Sequence, residues 1–346
     1  MLYGILAAVL FGINAPLSKL LLEGVDPIVL AGLLYLGAGG ALGLLLVVTS
    51  VGQAREREAR LERRDIPWLL GAILTGGVAG PILLFIGLRQ TPAATASLLL
   101  NFEVVATGLV AFTFFREPIG REVWIGIAAV TVGGALLSVD PTAGWGISLG
   151  AVLILGACLA WGFDNNLTGR ISLKDPKRIV TIKGLAAGGC SFALALVLGR
   201  PLPMLSHALL AVALGSVSYG ASIALFVHSL RRVGAARTSA VFGTAPFVGV
   251  ALSLLIFREA PEVSFYFALP LMILAVVVLG REKHAHYHEH EELRHTHRHN
   301  HADEHHLHDH PDIRDARLHH VHEHTHTRLS HNHPHRPDPH HRHSHA

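Results

Sequence analysis

Apolar residues are gathered into ten long runs between Leu2 and Gly280. A helix of about 20 apolar residues spans roughly 30 Å of hydrocarbon, where its backbone amides can bond only to one another. The runs lack the polar stripe at helical spacing that a soluble helical core would turn towards water. We therefore predict an all-α integral membrane protein. The predicted spans are residues 2–22, 28–48, 66–88, 92–115, 119–139, 147–168, 179–199, 204–229, 235–257 and 262–280.

Basic residues are distributed unequally between the loops that connect these spans. If the amino terminus lies inside, the inner loops contain most of the Lys and Arg residues, and the outer loops contain Arg89, Arg200 and Arg258. Lys and Arg in short loops are retained on the cytoplasmic side. We therefore predict a multi-pass protein of the inner (cytoplasmic) membrane with both termini in the cytoplasm.

The second part of the sequence repeats features of the first. A shift of 142 places aligns Phe115-Arg116-Glu117 with Phe257-Arg258-Glu259 without a gap. A weaker match places Phe11-Gly12-Ile13-Asn14 over Trp161-Gly162-Phe163-Asp164. Each half has five predicted spans, and an odd number makes the second half enter the membrane from the opposite side. Such inverted repeats are typical of secondary transporters that expose one site to either side in turn.

Composition changes sharply after the last span. Of the 26 histidines, 24 lie between His284 and His345, in a stretch with few apolar residues. Such a stretch cannot bury a core, so we predict a disordered tail. The predicted units are a five-helix repeat over 1–140, a second five-helix repeat over 141–281, and the tail over 282–346. The net charge of +3 is small and its basic residues are scattered, which argues against nucleic acid as a partner.

Histidine alternates with small or polar residues in the tail. Imidazole nitrogen is a good ligand for Zn²⁺, Ni²⁺ and Co²⁺, so we predict that the tail binds a divalent metal and that no cofactor is otherwise required. A polycation that responds to pH without metal is the alternative. The candidate ligands are His284, His286, His288, His290, His295, His297, His299, His301, His322, His324, His326, His331, His333 and His335.

Polar residues within the apolar runs are the candidates for a transport site. A charge near the centre of a bilayer costs on the order of 3 kcal/mol unless it is paired or wetted. Glu103, halfway along the fourth span, can bind a cationic group or carry a proton; the alternative is a protonated carboxyl hydrogen-bonded between helices. Asn14, Asp164 and Asn165 are predicted to face a central cavity, unless Asp164 and Asn165 form the wet inner end of the sixth span. Lys19 is predicted to reach the interface in a structural role.

Several of these segments resemble the drug/metabolite transporter superfamily, in its ten-helix branch with two EamA-type repeats. Phe11-Gly12 and Trp161-Gly162 resemble the Trp-Gly pattern that opens each repeat. Phe102-Glu103-Val104 is similar to the family's Leu-Glu-Pro, with Val104 in place of the proline, and Arg116-Glu117 resembles the start of its Glu-then-helix signature. The resemblance covers about residues 1–280. It implies a secondary transporter and leaves the substrate open.

No nucleophile, phosphate-binding or zinc-enzyme motif occurs in the sequence, so we predict a transporter and not an enzyme. The first hypothesis is export of a small molecule by alternating access. The alternatives are a divalent-metal exporter that is fed by the tail and a membrane-tethered metal buffer that transports nothing. The spacings Gly39-xxx-Gly43 and Gly184-xxx-Gly188 predict close helix contacts, with a homodimer interface as the other interpretation.

Overall fold

The protein is represented by a computed structural model, which describes most of the chain outside the tail. The described residues are 1–50, 61–116, 120–140, 146–171, 174–233, 238, 241–258, 260–280, 284–290, 293–299, 320–326 and 329–335.

The membrane region of these residues is all-α. Eight helical segments are long and apolar enough to cross a membrane, and two shorter apolar helices complete a set of ten. In chain order, spans 1 to 10 are Leu2–Leu21, Pro27–Val48, Arg63–Gln90, Ala93–Phe115, Arg121–Ser138, Leu149–Gly169, Pro176–Val197, Leu205–Ser229, Ala245–Phe257 and Val263–Val278. The predicted all-α membrane fold is thus confirmed. Part of the predicted ninth span, residues 235–237 and 239–240, lies outside the described residues.

Four spans are divided into shorter helices, whereas the rest are continuous. Span 1 consists of Leu2–Gly12 and Asn14–Leu21, and span 4 of Ala93–Leu99 and Phe102–Phe115. Span 3 consists of a 3₁₀ turn Arg63–Asp65, helix Ile66–Ala72, π-helix Ile73–Ala79 and helix Gly80–Gln90; span 8 consists of Leu205–Gly215, π-helix Ser216–Ala221 and Ser222–Val233. The continuous helices are Pro27–Ser50, Arg121–Ser138, Leu149–Gly169, Pro176–Val197, Ala245–Phe257 and Val263–Gly280.

Two backbone features recur at the spacing of the sequence repeat. Spans 4 and 9 end at Arg116 and Arg258, with left-handed φ angles of 55° and 53°, and these arginines are the pair that the shift of 142 residues aligns. The π-helices Ile73–Ala79 and Ser216–Ala221 match under the same shift to within one residue at their first position. A π-helix is rare and is often found at functional sites.

Glycine allows pairs of spans to approach closely. A Cβ on Gly184 of span 7 would lie 2.8 Å from Cα of Gly39 in span 2, and a Cβ on Gly188 would lie 2.6 Å from the backbone nitrogen of Leu36. These glycines therefore lie at a contact within one chain, as the first interpretation of their spacing predicts.

The other face of many spans is apolar and exposed, as contact with lipid requires. Leu44, Phe114 and Leu255 are examples, with 66%, 68% and 73% of their surface exposed. Leu42, Val110 and Val250 are buried on the same three helices. Each helix thus has an apolar buried side and an apolar exposed side, which is why its run appears apolar on all sides in the sequence.

The strands among the described residues form three antiparallel pairs, one after span 5 and two in the tail. Val139–Asp140 pairs with Gly146–Ile147 after span 5. In the tail, the strands are His284–His290 with Leu329–His335, and Leu293–His299 with His320–His326. Alternating histidine has a period of two, which is also the side-chain period of a strand.

Candidate functional site

A small cavity lies among spans 1, 3, 4, 6, 8 and 9. Asn14 and Glu103, two of the four predicted site residues, contribute to its lining. Asp164 and Asn165 are not among its lining residues; they lie beside it. Span 1 is interrupted just before Asn14, and span 4 just before Phe102. Both interruptions lie next to the cavity.

Asn14 is held by two residues of the π-helix in span 8. Its Nδ2 donates to Oγ of Ser218 at 2.8 Å, and the hydroxyl of Tyr219 donates to its Oδ1 at 3.3 Å. Asn14 is only 5% exposed, and all three groups are buried. The orientation of the Asn14 amide is therefore fixed by partners more than 200 positions away in the sequence. One of them, Tyr219, also lines the cavity.

Glu103 is positioned from span 6. Nδ2 of Asn165 donates to Oε1 of Glu103 and to Oγ1 of Thr107, both at 3.0 Å. Asn166 donates from Nδ2 to the carbonyl of Thr107 at 3.0 Å. Two consecutive asparagines thus tie span 6 to the helix that carries Glu103. Asn165, predicted as a site residue, lies where it can orient the Glu103 carboxylate.

Asp164 forms an ion pair with Lys183 of span 7, and Oγ1 of Thr168 donates to its Oδ1 at 3.0 Å. The two side chains are 7% and 16% exposed for Asp164 and Lys183. Lys183 is not among the site residues predicted from the sequence. The criterion that selected Glu103 also applies to Lys183, since residue 183 lies within the predicted seventh span. The negative charge of Asp164 is therefore compensated inside the protein.

The π-helix of span 3 presents a carbonyl to two aromatic side chains. The hydroxyl of Tyr35 donates to the carbonyl of Gly76 at 2.8 Å, and Nε1 of Trp161 donates to the same oxygen at 3.0 Å. A Cβ on Gly76 would overlap Oδ2 of Asp164, at 1.9 Å, so glycine is needed there. Each π-helix thus contacts the polar residue of a span from the other half: Asn14 against span 8, Asp164 against span 3.

Aromatic rings form a large part of the cavity wall. Phe11, Trp161 and Tyr219 all line it. The ring centroids of Phe11 and Tyr219 are 5.9 Å apart, with an edge-to-face arrangement, and those of Tyr35 and Tyr219 are 5.4 Å apart. Such contacts stabilise rings in a defined orientation.

Ser97 adds an unpaired polar group to the lining. Its side chain is 1% exposed, and its Oγ has no hydrogen-bond partner among the described residues. A buried hydroxyl without a partner costs on the order of 1–3 kcal/mol. Because Ser97 also lines the cavity, its hydroxyl is available to a ligand there.

Lys19 lies outside this cavity lining and has a structural role. Its Nζ donates to the carbonyls of Leu88, Arg89 and Thr91 at 2.6, 3.2 and 2.9 Å. These carbonyls lie at the end of span 3, where a helix has unpaired acceptors. The ammonium group therefore caps that helix, in line with the predicted structural role.

Candidate metal ligands lie mainly in the tail. The described residues contain no group of three or more His, Cys, Asp or Glu side chains that could hold a metal ion. Thirteen predicted tail ligands fall in the four paired strands, and His301 lies outside the described residues. His207 and His228 lie on spans, and the ring of His228 contacts that of Tyr3 with centroids 4.4 Å apart.

Comparison with known proteins gives a consistent assignment. Residues 1–139 and 148–281 each match the EamA-like transporter family. An uncharacterized transporter of Methanothermobacter thermautotrophicus is 30% identical over 271 residues, which are 74% of this chain and 78% of that protein. The uncharacterized transporter YvbV of Bacillus subtilis is 29% identical over 158 residues, which are 44% of this chain and 48% of that protein.

A crystal structure shares the fold, with a TM-score of 0.55 and 21% identity over 80% of this chain and 95% of that one. The likeness at this identity concerns the fold alone. Because the family match covers nearly the whole membrane region and a relative of similar length is a named transporter, the chain belongs to the EamA-like transporter family.

Proposed function

We propose that this membrane transporter exports a small metabolite by alternating access, with the cavity at Asn14 and Glu103 as its substrate site. The observation that carries the proposal is that both halves of the chain contribute residues to the cavity lining. Spans 1, 3 and 4 contribute to the cavity together with spans 6, 8 and 9, and these are corresponding spans in the two halves. A site between two inverted halves can open to one side when one half rocks against the other.

Two glycine contacts support this view of paired halves. A Cβ on Gly12 of span 1 would lie 2.8 Å from Cβ of Val248 in span 9, and a Cβ on Gly162 of span 6 would lie 2.7 Å from the carbonyl carbon of Ala106 in span 4. The weaker sequence match aligns Gly12 with Gly162, and the shift of 142 residues aligns Ala106 with Val248. The same contact is therefore made twice, each time between the halves.

The proposed roles of the site residues follow from their contacts. Asn14 and Glu103 reach the cavity and bind substrate directly. Asn165 orients Glu103, and Asp164 with Lys183 holds spans 6 and 7 together behind the site. The inner-membrane location and the cytoplasmic termini belong to the same proposal, since export requires a site that first opens to the cytoplasm.

Export can be tested by comparing metabolites inside and outside cells that express the protein or its Glu103→Gln variant. We expect at least one small metabolite to accumulate in the medium with the wild-type chain and not with the variant. Glu122→Gln serves as the matched control, because Glu122 is exposed at the start of span 5 and away from the cavity. Equal metabolite profiles for wild type and Glu103→Gln would contradict the proposal.

We further propose that the tail binds divalent metal in the cytoplasm. The register of the paired strands supports this, because it sets His286 opposite His333 and His297 opposite His322. The composition of the tail remains the main support.

Deletion of residues 284–346 tests this second proposal. Calorimetric titration of the purified protein with Zn²⁺, Ni²⁺ or Co²⁺ is expected to show several binding events for the full chain and a loss of most of them after deletion. Equal metal binding by both forms would contradict it. Growth under metal stress separates the alternatives: resistance lost in both the deletion and Glu103→Gln supports a metal exporter, and resistance lost in the deletion alone supports a buffer.

A further inference from the structure

We propose that the cavity accepts a small organic cation with a single positive charge and an apolar or aromatic body, such as an arylalkylamine. The inference rests on the proposed function, because it takes the cavity to be the transport site. It adds the chemical class of the substrate. Four features of the cavity support it: its net charge, the free oxygen of its carboxylate, its aromatic wall and its unpaired hydroxyl.

The cavity lining has a single group that can carry a negative charge. Glu103 is the one acidic residue among the described lining residues, and none of these is Lys, Arg or His. Asp164 adds no second negative charge, because its partner Lys183 neutralises it. A ligand that enters this space therefore meets one uncompensated carboxylate, and a ligand with one positive charge balances it.

The Glu103 carboxylate has one oxygen left for a ligand. Asn165 donates to Oε1 at 3.0 Å, and among the described residues no hydrogen bond reaches Oε2. An ammonium group bound at Oε2 would form a charge-assisted hydrogen bond, which is about twice as strong as a neutral one. The bond from Asn165 fixes the carboxylate beforehand, so little ordering is needed when the ligand arrives.

The wall of the cavity suits the rest of such a ligand. Phe11, Trp161 and Tyr219 can place ring faces towards a cation, which is attracted to the faces of aromatic rings within about 6 Å. Leu84, Leu100 and other apolar residues offer contact to a hydrocarbon or aryl body.

Ser97 supplies a further contact. Its buried, unpaired Oγ lines the cavity, and a hydroxyl can accept a hydrogen bond from an ammonium N–H. Ligand binding would thus satisfy a group that has no partner among the described residues. Ser97 and Glu103 lie on the two helices of span 4, on either side of its break.

The same inventory argues against other classes of substrate. Divalent cations need several oxygen, nitrogen or sulfur ligands, whereas this cavity offers one carboxylate among aromatic and aliphatic groups. A polyamine would leave a second ammonium group without a carboxylate. Anions and amino-acid zwitterions need a positive partner for their own carboxylate, and Lys183 is already paired with Asp164.

A series of probes with one ring and different charges tests the inference. Phenethylamine, phenylalanine and phenylacetate are titrated into the purified full chain in detergent, and binding is measured by calorimetry. We expect saturable binding of phenethylamine, and at least tenfold weaker binding of the other two. The Glu103→Gln variant should lose at least tenfold in phenethylamine affinity, whereas Glu122→Gln should bind as the wild type does.

The wild-type series requires no variant, so the test holds even if Glu103→Gln fails to fold. Binding of phenylacetate or phenylalanine as tight as that of phenethylamine, or no binding of phenethylamine at millimolar concentration, overturns the inference. So does a folded Glu103→Gln protein that binds phenethylamine unchanged. Uptake of labelled phenethylamine into proteoliposomes is measured separately. Binding with the expected charge preference but without uptake supports the cation site and contradicts the proposed transport.

Discussion

Lys183 of span 7 forms an ion pair with Asp164 of span 6 within the membrane-spanning segments. Thr168 also donates to Asp164, and Gly76 of span 3 approaches Oδ2 so closely that only a glycine fits. The pair therefore connects three spans at one point beside the cavity. Its two charges are nearly buried, so each depends on the other for compensation.

Removal of one charge of this pair is expected to destabilise the protein strongly. Lys183→Met leaves Asp164 buried without its cation, and Asp164→Asn leaves the ammonium group, so each should lower the free energy of unfolding by about 3–5 kcal/mol. The double variant should be more stable than either single one, because no unpaired charge remains. The free energy of unfolding of the wild type, the two single variants and the double variant is measured in mixed detergent micelles.

A surface pair provides the control for this experiment. Nε of Arg178 lies 3.4 Å from Oδ2 of Asp175, and the arginine side chain is 49% exposed. Arg178→Met should change stability by less than about 1 kcal/mol, since exposed ion pairs contribute little. If Lys183→Met were no more destabilising than Arg178→Met, the ion pair would not hold the spans together.

Neighbouring glycines in span 7 give a second prediction. A Cβ on Gly188 would lie 2.6 Å from the backbone nitrogen of Leu36, whereas a Cβ on Gly189 would have no atom within 4 Å. Gly188→Ala must push spans 2 and 7 apart and should cost about 1–3 kcal/mol. Gly189→Ala should leave the unfolding midpoint nearly unchanged. A similar midpoint for both variants would show that the two helices tolerate separation.

The sequence predicts the spans well because their cause is local. A run of apolar residues of bilayer length is sufficient to define a helix that crosses it. The predicted ranges 28–48 and 147–168 accordingly differ by at most two residues from the observed Pro27–Val48 and Leu149–Gly169. Breakers such as Pro27 mark the ends, so that boundaries follow from chemistry within a few residues.

The parts of the site that were missed depend on distant contacts. The π-helix Ser216–Ala221 has no periodic signal in the sequence, yet it supplies both partners of Asn14. Likewise, the pairing of Lys183 with Asp164 depends on how spans 6 and 7 pack. Asn14 and Glu103 could be selected beforehand because an unpaired polar group in lipid is costly in any packing. For the cavity itself, the sequence offers only the repeat and the resemblance as signals.

A third prediction concerns acid stability at the start of span 3. Nζ of Lys174 lies 2.5 Å from Oε1 of Glu62 and 3.5 Å from Oδ2 of Asp65. The hydrogen bond from Lys174, aided by the charge of Arg64, lowers the pKa of Glu62 from its usual 4.5. Because the unfolded chain then binds the proton more readily, this contribution to stability is present above pH 4.5 and is lost as the pH falls through the lowered pKa.

Lys174→Met should remove most of this dependence. We expect its melting temperature to lie below that of the wild type at neutral pH, and the difference to narrow below about pH 4. Arg64→Met is the control, since its exposed charge has a smaller effect on Glu62. Melting curves between neutral and acidic pH measure the three proteins. If the melting temperatures of wild type and Lys174→Met differed by the same amount at all pH values, Lys174 would not be the cause of the lowered pKa of Glu62.

The last prediction tests the inverted arrangement of the two halves. Arg64 lies at the start of span 3, and Arg200 lies just before span 8. These are corresponding places in the two halves. Arg178 lies at the start of span 7, four crossings after Arg64. The inverted repeat therefore places Arg64 and Arg178 on one face of the membrane and Arg200 on the other. All three side chains are exposed enough to be labelled, at 67%, 49% and 47%.

Single cysteines at these positions, in a chain that carries Cys158→Ala and Cys190→Ala, can be labelled with an impermeant maleimide. With both termini in the cytoplasm, Arg200→Cys should react in intact cells, and Arg64→Cys and Arg178→Cys only after the membrane is opened. The opposite pattern would reverse the orientation but keep the inverted repeat, because the positive charges of the inner loops, and not the repeat, set the orientation. Labelling of Arg64→Cys and Arg178→Cys from different faces would instead require an odd number of crossings between them. Such a count is incompatible with four spans between these positions, and two inverted halves around one cavity could not then form.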